Sequence, residues 1–131
     1  MLSVGVDMIE IERVARSLDR FGARFANRIF TAQEQAHCHG RVPSLAGRFA
    51  IKEAVAKALG TGIGDMRWLD IEVLSDERGR PHLQLHNQAQ AIASAQGLTV
   101  WSISLSHTAT HAIGMAVGMH QPTLTSTRDL S

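Results

Sequence analysis

A chain of 131 residues, 44% hydrophobic and 19% charged, is long enough for one domain with one real core and too short for several. Its formal net charge of +1 gives no general affinity for nucleic acid or an anionic membrane, and no run approaches the ~20 apolar residues of a membrane-spanning helix. One cysteine, Cys38, excludes an internal disulfide and suits a reducing compartment; with no basic leader before Gly5, a cytoplasmic location is expected.

In chain order, Leu2 to Val6 is a β-prone run ending at Asp7, a common place for a ligand-facing side chain. Ile9 to Arg20 has helical periodicity, with Ile9, Val14 and Leu18 apolar; Gly22 interrupts it before a second short helical turn. Thr31-Ala32-Gln33-Glu34 has capping-box spacing, so a helix should begin near Ala32, and Gly40 and Pro43 mark a loop. Ser44 to Leu59 is an alanine- and leucine-rich helix that Ser44 can cap and Gly60 can end. The glycine-rich stretch Gly60 to Gly64 follows. Leu69 to Leu74 and His82 to His86 read as a hairpin around a turn from Asp76 to Pro81. Asn87 to Gln96 is a helix stopped by Gly97.

Thr99 to Ser106 alternates, with Trp101, Ile103 and Leu105 on one face and Ser102, Ser104 and Ser106 on the other; Ala112 to Met119 is its hairpin partner. The order β-α-α-α-β-β-α-β-β predicts an α+β fold, a mostly antiparallel sheet with helices packed on one side. Residues 1–120 form the domain. The Ser- and Thr-rich tail over 121–131, with Pro122, is expected to be disordered.

The chain has two lysines, Lys52 and Lys57, flanking Glu53, and eleven arginines. On a helix, Glu53 and Lys57 share one face, Arg48 and Lys52 a neighbouring one, and Leu45, Ile51, Val55 and Leu59 face the core. A solvated Glu–Lys pair contributes a few tenths of a kcal/mol and needs no further role. Asp7 changes the balance, because Asp7 and Glu53 together offer the two carboxylates that suffice for magnesium when phosphates complete its shell. Lysine and arginine beside them would neutralise phosphate oxygens. Arg13, Arg16, Arg20, Arg24 and Arg28 form a basic stripe over a segment with one acid, Asp19, which favours an acidic partner surface. Aromatics there are few, Phe21 and Phe25, and no nucleic-acid motif appears. His37-Cys38-His39 lacks a second ligand pair at zinc spacing, and Ser106-His107 lacks the Gly-x-Ser-x-Gly elbow of a hydrolase.

Three blocks carry a resemblance. They are Gly5-Val6-Asp7-Met8-Ile9-Glu10-Ile11, then Leu45-Ala46-Gly47-Arg48-Phe49-Ala50-Ile51-Lys52-Glu53-Ala54-Val55-Ala56-Lys57-Ala58-Leu59-Gly60-Thr61-Gly62-Ile63-Gly64, then Ser104-Leu105-Ser106-His107. In this order they resemble the holo-acyl-carrier-protein synthases, the short branch of the 4′-phosphopantetheinyl transferase superfamily. The resemblance implies transfer of 4′-phosphopantetheine from coenzyme A to a serine of an apo acyl carrier protein in support of fatty acid biosynthesis, with adenosine 3′,5′-bisphosphate as the other product. It implies magnesium held by Asp7 and Glu53, and Lys57 on the coenzyme A phosphates. It places Arg48, Lys52, Gly60, Thr61, Gly62 and His107 along the coenzyme A site, and Arg13, Arg20 and Arg24 on the surface that receives the acidic carrier. It also implies a homotrimer with sites between subunits. The arginine helix is about a residue longer than the family's pattern.

The residues alone leave two other classes open: a non-catalytic binding module whose basic helix grips an acidic protein or nucleic acid, and a magnesium-dependent nucleotide phosphohydrolase. They also leave the general base open between Glu53 and a water.

Overall fold

In the computed structural model, residues 1–121 are described; the expected tail lies, but for Gln121, outside them. Strand β1 (Leu2–Glu10) leads into helices α1 (Ile11–Phe21), α2 (Ala23–Ile29), α3 (Ala32–Cys38) and α4 (Val42–Leu59). Two 3-10 turns, Ile63–Asp65 and Trp68–Asp70, precede the hairpin β2 (Ile71–Ser75) and β3 (Pro81–Leu85). Helix α5 (Asn87–Ala95) then leads to the hairpin β4 (Val100–His107) and β5 (His111–Met119). The α+β class holds, with every strand pair antiparallel, but the strands form two sheets: a three-stranded one in the order β1-β5-β4 and the separate β2-β3 pair.

Several boundaries differ from expectation, among them that of β2, which begins at Ile71 and not Leu69 because Trp68–Asp70 form a 3-10 turn. β1 runs on to Glu10 because it pairs with β5 along its whole length, from Leu2 opposite Met119 to Glu10 opposite His111, so Ile9 belongs to the strand. The short helical turn after Gly22 is the full helix α2, and Gly22 breaks the arginine stripe with a φ of 55°. α4 starts two residues early, with Pro43 in its first turn and no side-chain cap; the fixed proline φ suits that position, so Ser44 has no capping role. The capping box of α3 forms as read, Thr31 accepting from Glu34 N and Glu34 accepting from Thr31 N.

α4 lies directly on the inner face of the large sheet. Two glycines allow this approach: a Cβ on Gly5 would lie 1.8 Å from Ala54 O, and one on Gly114 would lie 2.4 Å from Ile51 N. Leu45, Ile51, Val55 and Leu59 are buried beneath it. One cluster packs α4 against β2, α5 and β5; a second packs α4 against α1, α2 and α3. The other face of the sheet is apolar and open, with Leu2, Val4, Val6 and Met8 of β1 and Ile113, Met115 and Met119 of β5 all exposed.

Candidate active site

Because Gly5 seats β1 against α4, the next inward-facing residue, Asp7, meets the last turn of that helix. Lys57 Nζ donates to Asp7 Oδ1 at 2.9 Å and to Val6 O at 3.0 Å. The lysine is 55% exposed and the aspartate 20%, so the pair stands at the surface and can open toward a ligand. Glu53, one turn before Lys57, is half-buried. Burial raises its carboxyl above the usual range, the charge of Asp7 raises it further, and Lys57 opposes both. Two carboxylates from different elements thus face one another across a single lysine.

Among the described residues no group of three His, Cys, Asp or Glu side chains gathers to enclose a metal. The donor set of Asp7 and Glu53 fits a hard divalent cation that draws its remaining ligands from phosphate and water, as magnesium does. The mutual repulsion seen at Glu53 is what such a cation would relieve.

Beyond Lys57, Gly60 ends α4 in the left-handed conformation with a φ of 73°. Thr61 N then bonds back to Ala56 O at 3.2 Å. Thr61 Oγ1 is buried without a hydrogen-bond partner. An orphaned hydroxyl is costly in a protein interior and is common at binding loops. It supports the expectation for Gly60, Thr61 and Gly62, although the glycine stretch alone matched no phosphate-loop pattern.

Arg48 and His107 meet elsewhere, in an open cavity of about 770 Å³ whose wall adds His37, His39, Arg41 and Arg80, with Asp76 as its one acid. The Arg48 guanidinium donates to Ser75 Oγ at 2.9 Å and to Val73 O at 3.3 Å, which holds it flat against that wall. Sequence reading missed the four additional residues. His37 and His39 drew notice only as metal ligands, whereas the loop after α3 and the β2–β3 turn bring them to one basic surface. Asp7, Glu53 and Lys57 do not line this cavity.

Lys52 is a correction. Expected beside Arg48 at the coenzyme A site, it is fully buried and points the other way. Its ammonium donates to Glu34 Oε1 at 2.8 Å, to Trp68 O at 3.1 Å and to Ile71 O. All three N–H donors are used, so none remains for a ligand. Burial pushes its pKa down, and the Glu34 carboxylate pulls against that shift.

The five stripe arginines are exposed. Arg13, Arg16 and Arg20 line one notch on α1 with Ser17 and Phe21, and Arg20 lies over the Phe21 ring at 5.2 Å. Arg24 and Arg28 continue on α2 beyond the break, so the basic surface is bent at Gly22.

The family model for the 4′-phosphopantetheinyl transferase superfamily matches residues 3–116. A holo-[acyl-carrier-protein] synthase of Herpetosiphon aurantiacus is 45% identical over 126 residues, covering 91% of this chain and 99% of that one. A second, of Alkaliphilus metalliredigens, is 47% identical over 117 residues, covering 87% and 95%. The crystal structure of the Helicobacter pylori holo-[acyl-carrier-protein] synthase in complex with coenzyme A superposes with a TM-score of 0.81 at 31% identity, covering 88% of this chain and 99% of that one. The Neisseria meningitidis holo-[acyl-carrier-protein] synthase gives 0.81 at 33%, covering 89% and 97%. With the site geometry and these likenesses in agreement along nearly the whole chain, it belongs to the 4′-phosphopantetheinyl transferase superfamily, among the holo-[acyl-carrier-protein] synthases.

Proposed function

We infer that this chain transfers 4′-phosphopantetheine from coenzyme A to a serine hydroxyl of an apo acyl carrier protein. The observation that carries the reading is the convergence of Asp7, Glu53 and Lys57 from two elements at one surface point. The carrier serine oxygen attacks the β-phosphorus of the coenzyme A pyrophosphate. A new P–O bond forms there, the bond to the bridging oxygen breaks, and adenosine 3′,5′-bisphosphate departs.

Asp7 and Glu53 would hold a magnesium ion, which would supply charge neutralisation to the phosphate oxygens. Lys57 exchanges its bonds to Asp7 and Val6 O for those same oxygens and adds a fixed positive charge. Glu53, half-buried beside the point where the phosphate would sit, accepts the serine proton directly or through a water. The basic cavity around Arg48 and His107 has the chemistry to hold the phosphorylated nucleotide end of coenzyme A. Arg13, Arg20 and Arg24, joined by Arg16, orient the acidic carrier before reaction.

The same reading makes the protein a homotrimer with sites between subunits. Two observations support it. The outer sheet face is apolar over two strands, an extent that soluble monomers seldom leave uncovered. The basic cavity and the Asp7–Glu53 pair are lined by different residues of one chain, an arrangement that suits a site assembled from two copies. A free, buried Cys38 suits the reducing, cytoplasmic setting of this reading, and no described helix is long and apolar enough to cross a membrane.

The test is incubation with coenzyme A, magnesium and an apo carrier protein, read by intact mass. The expected result is a carrier heavier by one phosphopantetheine. Phosphate release without carrier modification would instead identify a phosphohydrolase and overturn the reading.

A further inference from the structure

We propose that Lys52 and Glu34 form a buried charged clamp that positions Glu53, making both of them positioning residues for the transfer reaction. Both side chains are 0% exposed, and their ion pair at 2.8 Å joins α4 to α3. The bonds around it reach further. Lys52 Nζ also donates to Trp68 O and Ile71 O, at the entry to β2. Glu34 Oε2 accepts from Val73 N at 2.9 Å, inside β2, and Oε1 accepts from Thr31 N at 2.9 Å. Thr31 Oγ1 in turn donates to Glu72 Oε2 at 2.6 Å, and Glu72 Oε1 meets His86 Nε2 at 3.0 Å. Three segments distant in sequence are therefore tied at one nitrogen, in the residue next to Glu53.

Stability alone gives little reason for this arrangement. A buried ion pair is commonly no more stabilising than apolar side chains of the same volume. What apolar packing lacks is direction. α4 meets the large sheet through alanines and the bare backbone of Gly5 and Gly114. Its directional bonds lie at Arg48, which donates to Val73 O and Ser75 Oγ, at Lys52, and in the last turn, where Lys57 donates to Val6 O and Asp7 Oδ1 and Ser3 Oγ donates to Ala58 O. Of these, the Lys52 bonds adjoin Glu53 directly and join α4 to both α3 and β2. Glu53 depends on this because its charged neighbours, Asp7 and Lys57, are bonded to each other. Its place is set through its helix. Misplacing such a group by about 1 Å costs on the order of 100-fold in rate.

The kinetic arm of the test rests on the function inferred above; the structural arm does not. The variant is Lys52→Met with Glu34→Gln, which removes both charges and conserves volume. The expected result is a urea midpoint near that of the parent chain and a kcat lower by about 10- to 100-fold. KM for coenzyme A and for carrier should move by less than about twofold. Amide hydrogen exchange over residues 51–57 should be faster than in Leu98→Ala, a core truncation outside the clamp, compared at equal global stability set with urea. Exchange there equal to that of Leu98→Ala overturns the proposal whatever the activity, and so does an unchanged kcat in a chain that transfers phosphopantetheine. If the parent chain transfers none, the function reading fails and exchange alone decides the clamp. A double variant that does not fold is replaced by Glu34→Asp, which keeps both charges but draws the carboxylate back by one methylene and is read in the same way.

Discussion

Glu53 is asked to do two things that conflict. Its folded pKa is raised, first by burial and then by Asp7, so its ionised form is disfavoured in the folded chain. A raised carboxylate favours the fold below its unfolded pKa, and that contribution is lost as pH rises through the folded value. Glu53→Gln removes the group that must ionise. We expect this variant to melt higher than the parent at pH 7 in the absence of divalent cations, with the difference vanishing below about pH 4. Calorimetry across that range checks the sign. The same variant should lose transfer activity by about 100-fold or more. A melting point at pH 7 equal to or below the parent's would show that the repulsion from Asp7 is already relieved. The Asp7, Glu53 and Lys57 set was legible in sequence because two of its members lie one helical turn apart and the third follows an apolar run, although that strand continues past it to Glu10. Lys52 was not legible. Its partner Glu34 sits eighteen positions earlier in a capping box that reads as purely local, and helix spacing alone puts Lys52 beside Arg48.

Helix α4 and strand β1 carry the site only because they touch at backbone distance. Local signals predicted the helix, the α3 cap, both hairpins and the alternating face of β4, since each depends on residues within a few positions. The length of β1 was hidden because its last residues are held by β5, more than a hundred positions away. Gly5 was hidden too: in a strand pattern it reads as a weak position, whereas here its missing side chain sets the helix-to-sheet distance. Gly5→Ala should therefore destabilise the chain by about 3 kcal/mol, as overpacking of a rigid backbone contact does. It should also reduce transfer, because moving β1 away from α4 separates Asp7 from Lys57 and Glu53. Urea unfolding measures the first effect, and steady-state transfer under conditions where the variant remains folded measures the second. A Gly5→Ala chain with parental stability would mean that α4 can shift freely, and would remove the reason for the observed spacing.

At the scale of the whole molecule, the apolar outer face and the separated halves of the site make one argument. Leu2 and Met8 are 65% and 64% exposed on β1, and Met115 is 44% exposed on β5, opposite Val6. A charge on that face should be incompatible with covering it. Met115→Glu is expected to reduce the sedimenting mass to that of one chain, and to abolish transfer. Complementation tests the shared site directly. Arg48→Ala damages the basic cavity; Glu53→Gln damages the carboxylate pair. If each chain completes its site from a neighbour, the two inactive variants refolded together will form some sites from an intact cavity and an intact pair. Random assortment at equal amounts makes these about a quarter of all sites in a closed ring. A mixture regaining about that fraction of parental activity would establish that one chain supplies the cavity and its neighbour the carboxylates. A mixture as inactive as its components would place both halves on one chain, and the apolar sheet face alone would then argue for assembly.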